Sequence, residues 1–188
     1  MEVKTIGIIG AGAMGRGIAF AAAFGGYRTI LEDVSPEMLE QGTAYIRETL
    51  EEGVTRGKIT PEQKATALAN LTTSSSVEDV CRETDLLIEA VPEEMEVKLE
   101  IFTIFDKFAR PNAILASNTS SLSVTELAAI TFRAADCIGM HFFNPVPKMK
   151  LLEIVCALET DDDTLAAVVE VGKRMGKEVV VIKESHPA

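Results

Sequence analysis

The stretch Val3-Lys4-Thr5-Ile6-Gly7-Ile8-Ile9 runs directly into Gly10-Ala11-Gly12-Ala13-Met14-Gly15, and the chain continues to Phe24 in small and apolar residues. The first segment is short and β-branched, and it carries no charge after Lys4. That is the pattern of a strand buried on both faces in a parallel sheet. The glycines turn the chain, and Ala13 to Phe24 predicts a helix of small residues able to lie close to the sheet. Thr29–Leu31 predicts a second strand, so the chain opens as a βαβ unit.

Gly10, Gly12 and Gly15 stand in GxGxxG spacing between a strand and a helix, the context in which that spacing carries meaning. Gly10 permits the tight turn, Gly12 lets the backbone approach a pyrophosphate, and Gly15 lets the helix sit against the sheet. Phosphate oxygens would meet the free N–H groups of the helix start, those of Ala13 and Met14 among them. Asp33 follows Gly15 by 18 residues, at the end of the second strand. A carboxylate there accepts from both ribose hydroxyls of NAD and repels the extra phosphate of NADP. Glu32 would point the other way in a regular strand. Arg28 lies at the start of that strand, far from a 2′-phosphate. These residues read as an NAD site; a glycine-rich turn without a ligand and an FAD site are the competing readings.

Further along, Ser35-Pro36 is a cap with a first-turn proline, predicting a helix to about Val54. Thr60-Pro61-Glu62-Gln63 is a capping box that starts another helix. Thr72–Ser76 reads as a polar run between elements, followed by a short helix at Val77–Cys81. Strands are predicted at Leu86–Ala90, Ala113–Ala116, Cys137–Met140, Leu151–Cys156 and Val179–Lys183. Val97, Ile101, Phe105 and Phe108 recur at helical spacing. Ser123 and Glu126 form a further capping box, and Asp161-Asp162-Asp163 mark a helix start where the dipole favours acids. The fold class predicted is α/β: a Rossmann-type, doubly wound, mostly parallel sheet with a helical hairpin insert after the second strand.

At 188 residues the chain has room for one well-buried domain. Its formal charge is -11, which argues against nucleic acid or an anionic membrane as partner. Three cysteines, Cys81, Cys137 and Cys156, form no CxxC pair. That argues for a reducing, cytoplasmic setting without a disulfide framework. The N-terminus does not read as a signal peptide, and the apolar run at residues 18–27 is too short to span a bilayer.

Only two histidines are present, His141 and His186. His186 falls in the terminal tail. His141 follows a predicted strand and precedes Phe142-Phe143-Asn144-Pro145-Val146-Pro147, at the sheet edge where such folds place their chemistry. Alcohol oxidation needs a base for the hydroxyl proton, and a neutral imidazole suits that near neutral pH. A satisfied histidine at the sheet edge is the competing reading. Glu153 on the next strand is a candidate to orient the ring. Ser120, in Ser117-Asn118-Thr119-Ser120-Ser121, is a candidate to bond the substrate oxygen, unless that run is a loop and helix cap. No cysteine–histidine cluster suggests a metal.

The runs Gly10–Ala19 (GAGAMGRGIA), Ile88–Glu93 (IEAVPE), Ser117–Leu122 (SNTSSL) and His141–Glu153 (HFFNPVPKMKLLE), with their spacing, resemble the L-3-hydroxyacyl-CoA dehydrogenase family. The likeness covers nearly the whole chain. It implies that His141 is the general base for oxidation, that Glu153 orients it, and that Ser120 contacts the substrate oxygen. It implies that Asn144 holds the nicotinamide end, that Asn118, Glu93 and Lys98 line the cofactor site, and that Asp33 binds ribose. More loosely, it implies that the helical hairpin reaches over CoA, where Arg56 and Lys58 could meet phosphates. The implied reaction converts (S)-3-hydroxyacyl-CoA and NAD to 3-oxoacyl-CoA and NADH.

The family continues past this point into a helical domain. The expectation is therefore an NAD-binding domain over residues 1–184, with 185–188 the start of a linker. On the same expectation, the helical domain carries most of a homodimer interface, and this chain alone binds NAD(H) with little or no turnover. Alternatives are an L-gulonate-type sugar-acid dehydrogenase, a module of a multifunctional β-oxidation protein, and an NAD-binding module without activity.

Overall fold

The computed structural model of the chain describes residues 1–185. In chain order the strands are β1 Thr5–Ile9, β2 Arg28–Glu32, β3 Leu71–Ser74, β4 Leu86–Glu89, β5 Ile114–Ser117, β6 Cys137–Phe142, β7 Leu151–Cys156 and β8 Glu178–Lys183. The helices are α1 Ala13–Phe24, α2 Pro36–Thr55, α3 Pro61–Ala69, α4 Val77–Glu83, α5 Met95–Phe108, α6 Val124–Ala129 and α7 Asp162–Arg174. The strands form one sheet in the order β3-β2-β1-β4-β5-β6-β7-β8. Every pairing is parallel except β6 with β7, which is antiparallel. The connection from Phe143 to Lys150 is too short for a parallel crossover, which needs a dozen residues or more.

Alternation along the strands divides the core between two faces. Ile6 and Ile8 of β1 pack with Leu31 of β2, Ile18 of α1, Ile46 and Leu50 of α2, and Val168 of α7. Ile9 faces the other side, with Ile30, Val80 of α4, and Phe102 and Phe105 of α5. Helices α2 and α3 follow β2 as the predicted hairpin. Ser35 caps α2 by accepting from the Met38 amide. Thr60 and Gln63 cap α3 reciprocally. Ser123 accepts from the Glu126 amide at α6, and Asp161 from the Thr164 amide at α7.

Two expectations need correction. The polar run Thr72–Ser76 was expected to lie between elements, but Leu71–Ser74 pairs in parallel with β2 as the sheet's edge strand. Its threonines are exposed, so no apolar periodicity marks it; β-branching at an edge is enough. His141 does not follow a strand but lies inside β6, because the ladder with β7 continues through Phe142.

At the other edge, β8 exposes Val180, Val181 and Ile182. Just beyond it, Glu184 accepts from the amides of Val124 and Thr125 at 2.8 and 2.7 Å, an acidic cap on α6 from across the fold. The expected linker past Ser185, His186 with it, lies outside the described residues. Cys81, Cys137 and Cys156 are all buried free thiols. Burial pushes Cys81 up to about 12 and Cys137 up to about 11, and it raises Cys156 as well. Among the described residues, no helix is long and apolar enough to cross a membrane.

Candidate active site

The C-terminal ends of β1, β2, β4, β5 and β6 open into one cleft of about 780 Å3. The turn after β1 forms its middle. Gly10 has φ +102°, and a Cβ there would stand 2.8 Å from the Ala90 carbonyl. A Cβ on Gly15 would collide with the Gly10 carbonyl at 1.6 Å, so this glycine is required by the closeness of turn and helix and lies behind the cleft wall. Gly12 differs: the nearest atom to a Cβ there is 4.0 Å away, and the residue lines the cleft. Packing does not require that glycine, whereas a ligand against the backbone would.

Asp33 ties the turn to β2. Its carboxylate accepts from the Ala11 amide through Oδ2 and the Ser35 amide through Oδ1, each at 2.9 Å. Its remaining lone pairs stay open to the cleft, which it lines.

The far end of the cleft holds His141, Asn144, Asn118 and Ser120. His141 is the direct ladder partner of Glu153, and its Nδ1 lies 3.6 Å from Glu153 Oε1. Glu153 stands behind the imidazole on β7. The Phe143 ring is tilted at 48° against His141, with centroids 4.3 Å apart. Asn118 Oδ1 accepts from the Phe142 amide at 2.9 Å, joining the end of β5 to the strand that carries the histidine.

Glu93 anchors Ser120. Its carboxylate accepts from the Ser120 amide at 2.9 Å and hydroxyl at 3.1 Å, and from the Thr119 hydroxyl at 2.9 Å. Burial alone would raise this acid. The Ser120 amide, the Thr119 hydroxyl and the Lys98 ammonium outweigh it and hold Glu93 at about 2.

With this arrangement in view, the comparisons are decisive. Residues 5–185 match the family model described as 3-hydroxyacyl-CoA dehydrogenase, NAD binding domain. The chain belongs to that family. It is 40% identical over 184 residues to a probable 3-hydroxybutyryl-CoA dehydrogenase of Bacillus subtilis (strain 168), covering 98% of this chain and 64% of the relative. It is 38% identical to the fatty acid oxidation complex subunit alpha of Idiomarina loihiensis, covering 97% of this chain and 25% of that protein. The crystal structure of (S)-3-hydroxybutyryl-CoA dehydrogenase from Ralstonia eutropha superposes with a TM-score of 0.94 at 43% identity, covering 98% of this chain and 65% of that one. The chain thus spans a little under two thirds of the stand-alone relatives it matches.

As in the family its model describes, the cofactor is NAD, and the cleft fits it. The N-terminus of α1 has no side-chain cap, so its first amides are free for phosphate. Gly12 leaves the approach open, and the Asp33 carboxylate lines the same cleft just past the end of β2.

Most residues predicted from sequence converge here: Gly10, Gly12, Ala13, Met14, Asp33, Glu93, Lys98, Asn118, Ser120, His141 and Asn144 all line the cleft. Arg56 and Lys58 do not. They sit between α2 and α3, and Arg56 pairs with Glu52 at 2.8 Å on the same helical turn.

Two supports of this arrangement are not legible in the sequence. Glu89, wholly buried at the end of β4, accepts from Lys98 Nζ at 2.6 Å, Ser117 Oγ at 2.5 Å and the Val91 amide at 2.9 Å. It holds Lys98, itself 1% exposed, in place under Glu93. An acid closing an otherwise apolar strand was the signal available. Lys177 Nζ donates to the carbonyls of Val146 and Met149 at 2.6 and 2.8 Å, fastening the loop from Phe143 to Lys150. No local pattern announced it. Glu32 faces away from Asp33, as alternation predicts, and lines the cleft although it is only 3% exposed.

Proposed function

We propose that this chain is the cofactor-binding part of an NAD-dependent dehydrogenase acting on the 3-hydroxyl of (S)-3-hydroxyacyl-CoA. One observation carries the reading: a histidine backed by a carboxylate stands in the same cleft as the glycine turn, at its far end. His141 takes the hydroxyl proton in oxidation and returns it in reduction. Glu153 holds the ring and balances the imidazolium that forms. Ser120, steadied by Glu93, is assigned to the same substrate oxygen. Asn144 and Asn118 keep the nicotinamide end in register with β6, and Lys98 fixes the position of Glu93. When bound, NAD supplies the two-electron acceptor for the carbon-bound hydrogen.

The CoA part is assigned to the α2–α3 hairpin, where Arg56 and Lys58 offer cations to its phosphates. The stand-alone relatives are half as long again. Full turnover is therefore assigned to that longer framework, as a homodimer in a reducing cytoplasm, and the 188-residue chain alone binds NAD(H) with little turnover. The test is NADH oxidation with acetoacetyl-CoA beside an NADH titration. Slow oxidation that vanishes in His141→Ala, with NADH still bound, supports the assignment. Preferential turnover of L-gulonate would replace the acyl-CoA reading with the sugar-acid one.

A further inference from the structure

The cleft has two ends, and the chemistry assigns them. His141, Ser120 and Asn144 take the reacting end. The end beyond the glycine turn is left for the base of the adenosine half. Its lining is almost entirely apolar: Ile9, Val34, Val77, Val97 and Ile101. Glu32 is the exception. It is the last residue of β2, set between Ile9 of β1 and Ser74 of β3 in the ladder. Alternation puts its side chain on the face of Ile30, with the cluster that includes Ile9, Val77 and Ile101.

Oε2 of Glu32 is buried with no hydrogen-bond partner among the described residues. A buried polar atom without a partner is costly and calls for a reason. The aliphatic neighbours offer no donor. Asp33 next door is an acid, and its carboxylate is already engaged by the Ala11 and Ser35 amides. A fixed acceptor in an apolar slot is complementary to a flat heterocycle bearing an amino group on its edge.

We propose that Glu32 is a specificity-determining residue that receives the exocyclic 6-amino group of the cofactor's adenine. This rests on the NAD reading of the cleft. The 6-amino group donates two N–H bonds, whereas a 6-oxo purine would present an oxygen to the carboxylate and be rejected. Asp33 then selects at the ribose and Glu32 at the base, two successive acids on opposite faces of one strand. Burial, reinforced by the Asp33 carboxylate, lifts Glu32 to about 7. Above that value the carboxylate is ionised and only accepts, so the selection against a 6-oxo purine is read on that side of it.

The test compares affinities for NADH and for its reduced hypoxanthine analogue, measured by calorimetry on the 188-residue chain. The wild-type chain is expected to prefer NADH by about tenfold or more, the discrimination of one good base contact. Glu32→Val should bring the ratio near one while raising the thermal midpoint of the free chain, since an unpartnered buried group is removed. Glu32→Gln should also bring it near one by a different route. Its amide can turn either oxygen or nitrogen to the base, so affinity for the hypoxanthine analogue rises. A wild-type ratio near one, or the same ratio in all three proteins, overturns the assignment of Glu32 while leaving NAD binding intact. Failure of the wild-type chain to bind either dinucleotide overturns both readings.

Discussion

His141 and Glu153 are direct partners across the antiparallel β6–β7 ladder, and their side chains meet with Nδ1 3.6 Å from Oε1. Opposed positions on one face of such a ladder have Cβ atoms only about 5 Å apart. The backbone thus sets the pairing before the side chains refine it. In the longer framework to which full turnover is assigned, His141→Ala should lower the rate with acetoacetyl-CoA by about 10²–10⁴-fold if the histidine is the proton-transfer group, with NADH affinity little changed. Glu153→Gln keeps the shape and removes the charge, so it should lower kcat more than it changes KM. Steady-state kinetics beside an NADH titration separate these effects. A parallel loss of NADH binding in His141→Ala would move the histidine from proton transfer to cofactor binding.

Asp33 holds the glycine turn and is assigned to the cofactor's ribose. Asp33→Ala strands the amides of Ala11 and Ser35. A loss of about 1–3 kcal/mol in folding stability is expected for such stranding. NADH affinity should fall together with the preference for NADH over NADPH. Denaturant titration and the two dinucleotide affinities check this. An unchanged preference would show that the carboxylate serves the turn alone.

The buried Lys98–Glu89 pair predicts a strong asymmetry. Lys98→Met leaves Glu89 wholly enclosed without its cationic partner, and a cost of about 3–5 kcal/mol is expected. Combining it with Glu89→Gln should recover part of that loss. Destabilisation of the double variant equal to the sum of the two single variants, read from chemical denaturation, would show that the pair is not coupled.

Two acids act on stability in opposite pH windows. Glu32 is held at about 7 against an ordinary 4.5, so the folded chain keeps its proton where the unfolded chain has lost it. Its contribution is complete below about 4.5 and is lost as pH rises through about 7. Glu93 is held at about 2. Its contribution is present above its ordinary value and is lost as pH falls toward about 2. Stability measured across pH should therefore show a neutral limb that flattens in Glu32→Val and an acid limb that flattens in Glu93→Gln. A neutral limb left intact in Glu32→Val would mean that another group sets it.

Local order proved readable, and distant pairing did not. The glycine turn and the caps at Ser35 and Thr60 follow from patterns spanning a few residues, and His141 is read one strand position too late, since β6 runs on through it to Phe142. Strand β3 escaped because an exposed edge carries no apolar rhythm. Glu89 escaped because its partners lie 9 and 28 residues away, on α5 and at the end of β5. Lys177 meets a loop about 30 residues back, brought beside it by the β7–β8 pairing. Glu32 was expected to point away from Asp33, and alternation holds. What the pattern could not say is that its face becomes a closed apolar pocket wall once α4 and α5 pack against the sheet.

The three enclosed thiols turn the chain into its own stopwatch. Cys81 lies in α4, Cys137 at the start of β6 and Cys156 at the end of β7, each withdrawn from solvent and raised in pKa. A thiol-exchange reagent can reach each of them only when its own neighbourhood breathes. Their separate labelling rates therefore time how often three parts of the domain come open, without any probe being added. Slowing of those rates on adding NADH would show which of the three regions the dinucleotide holds shut.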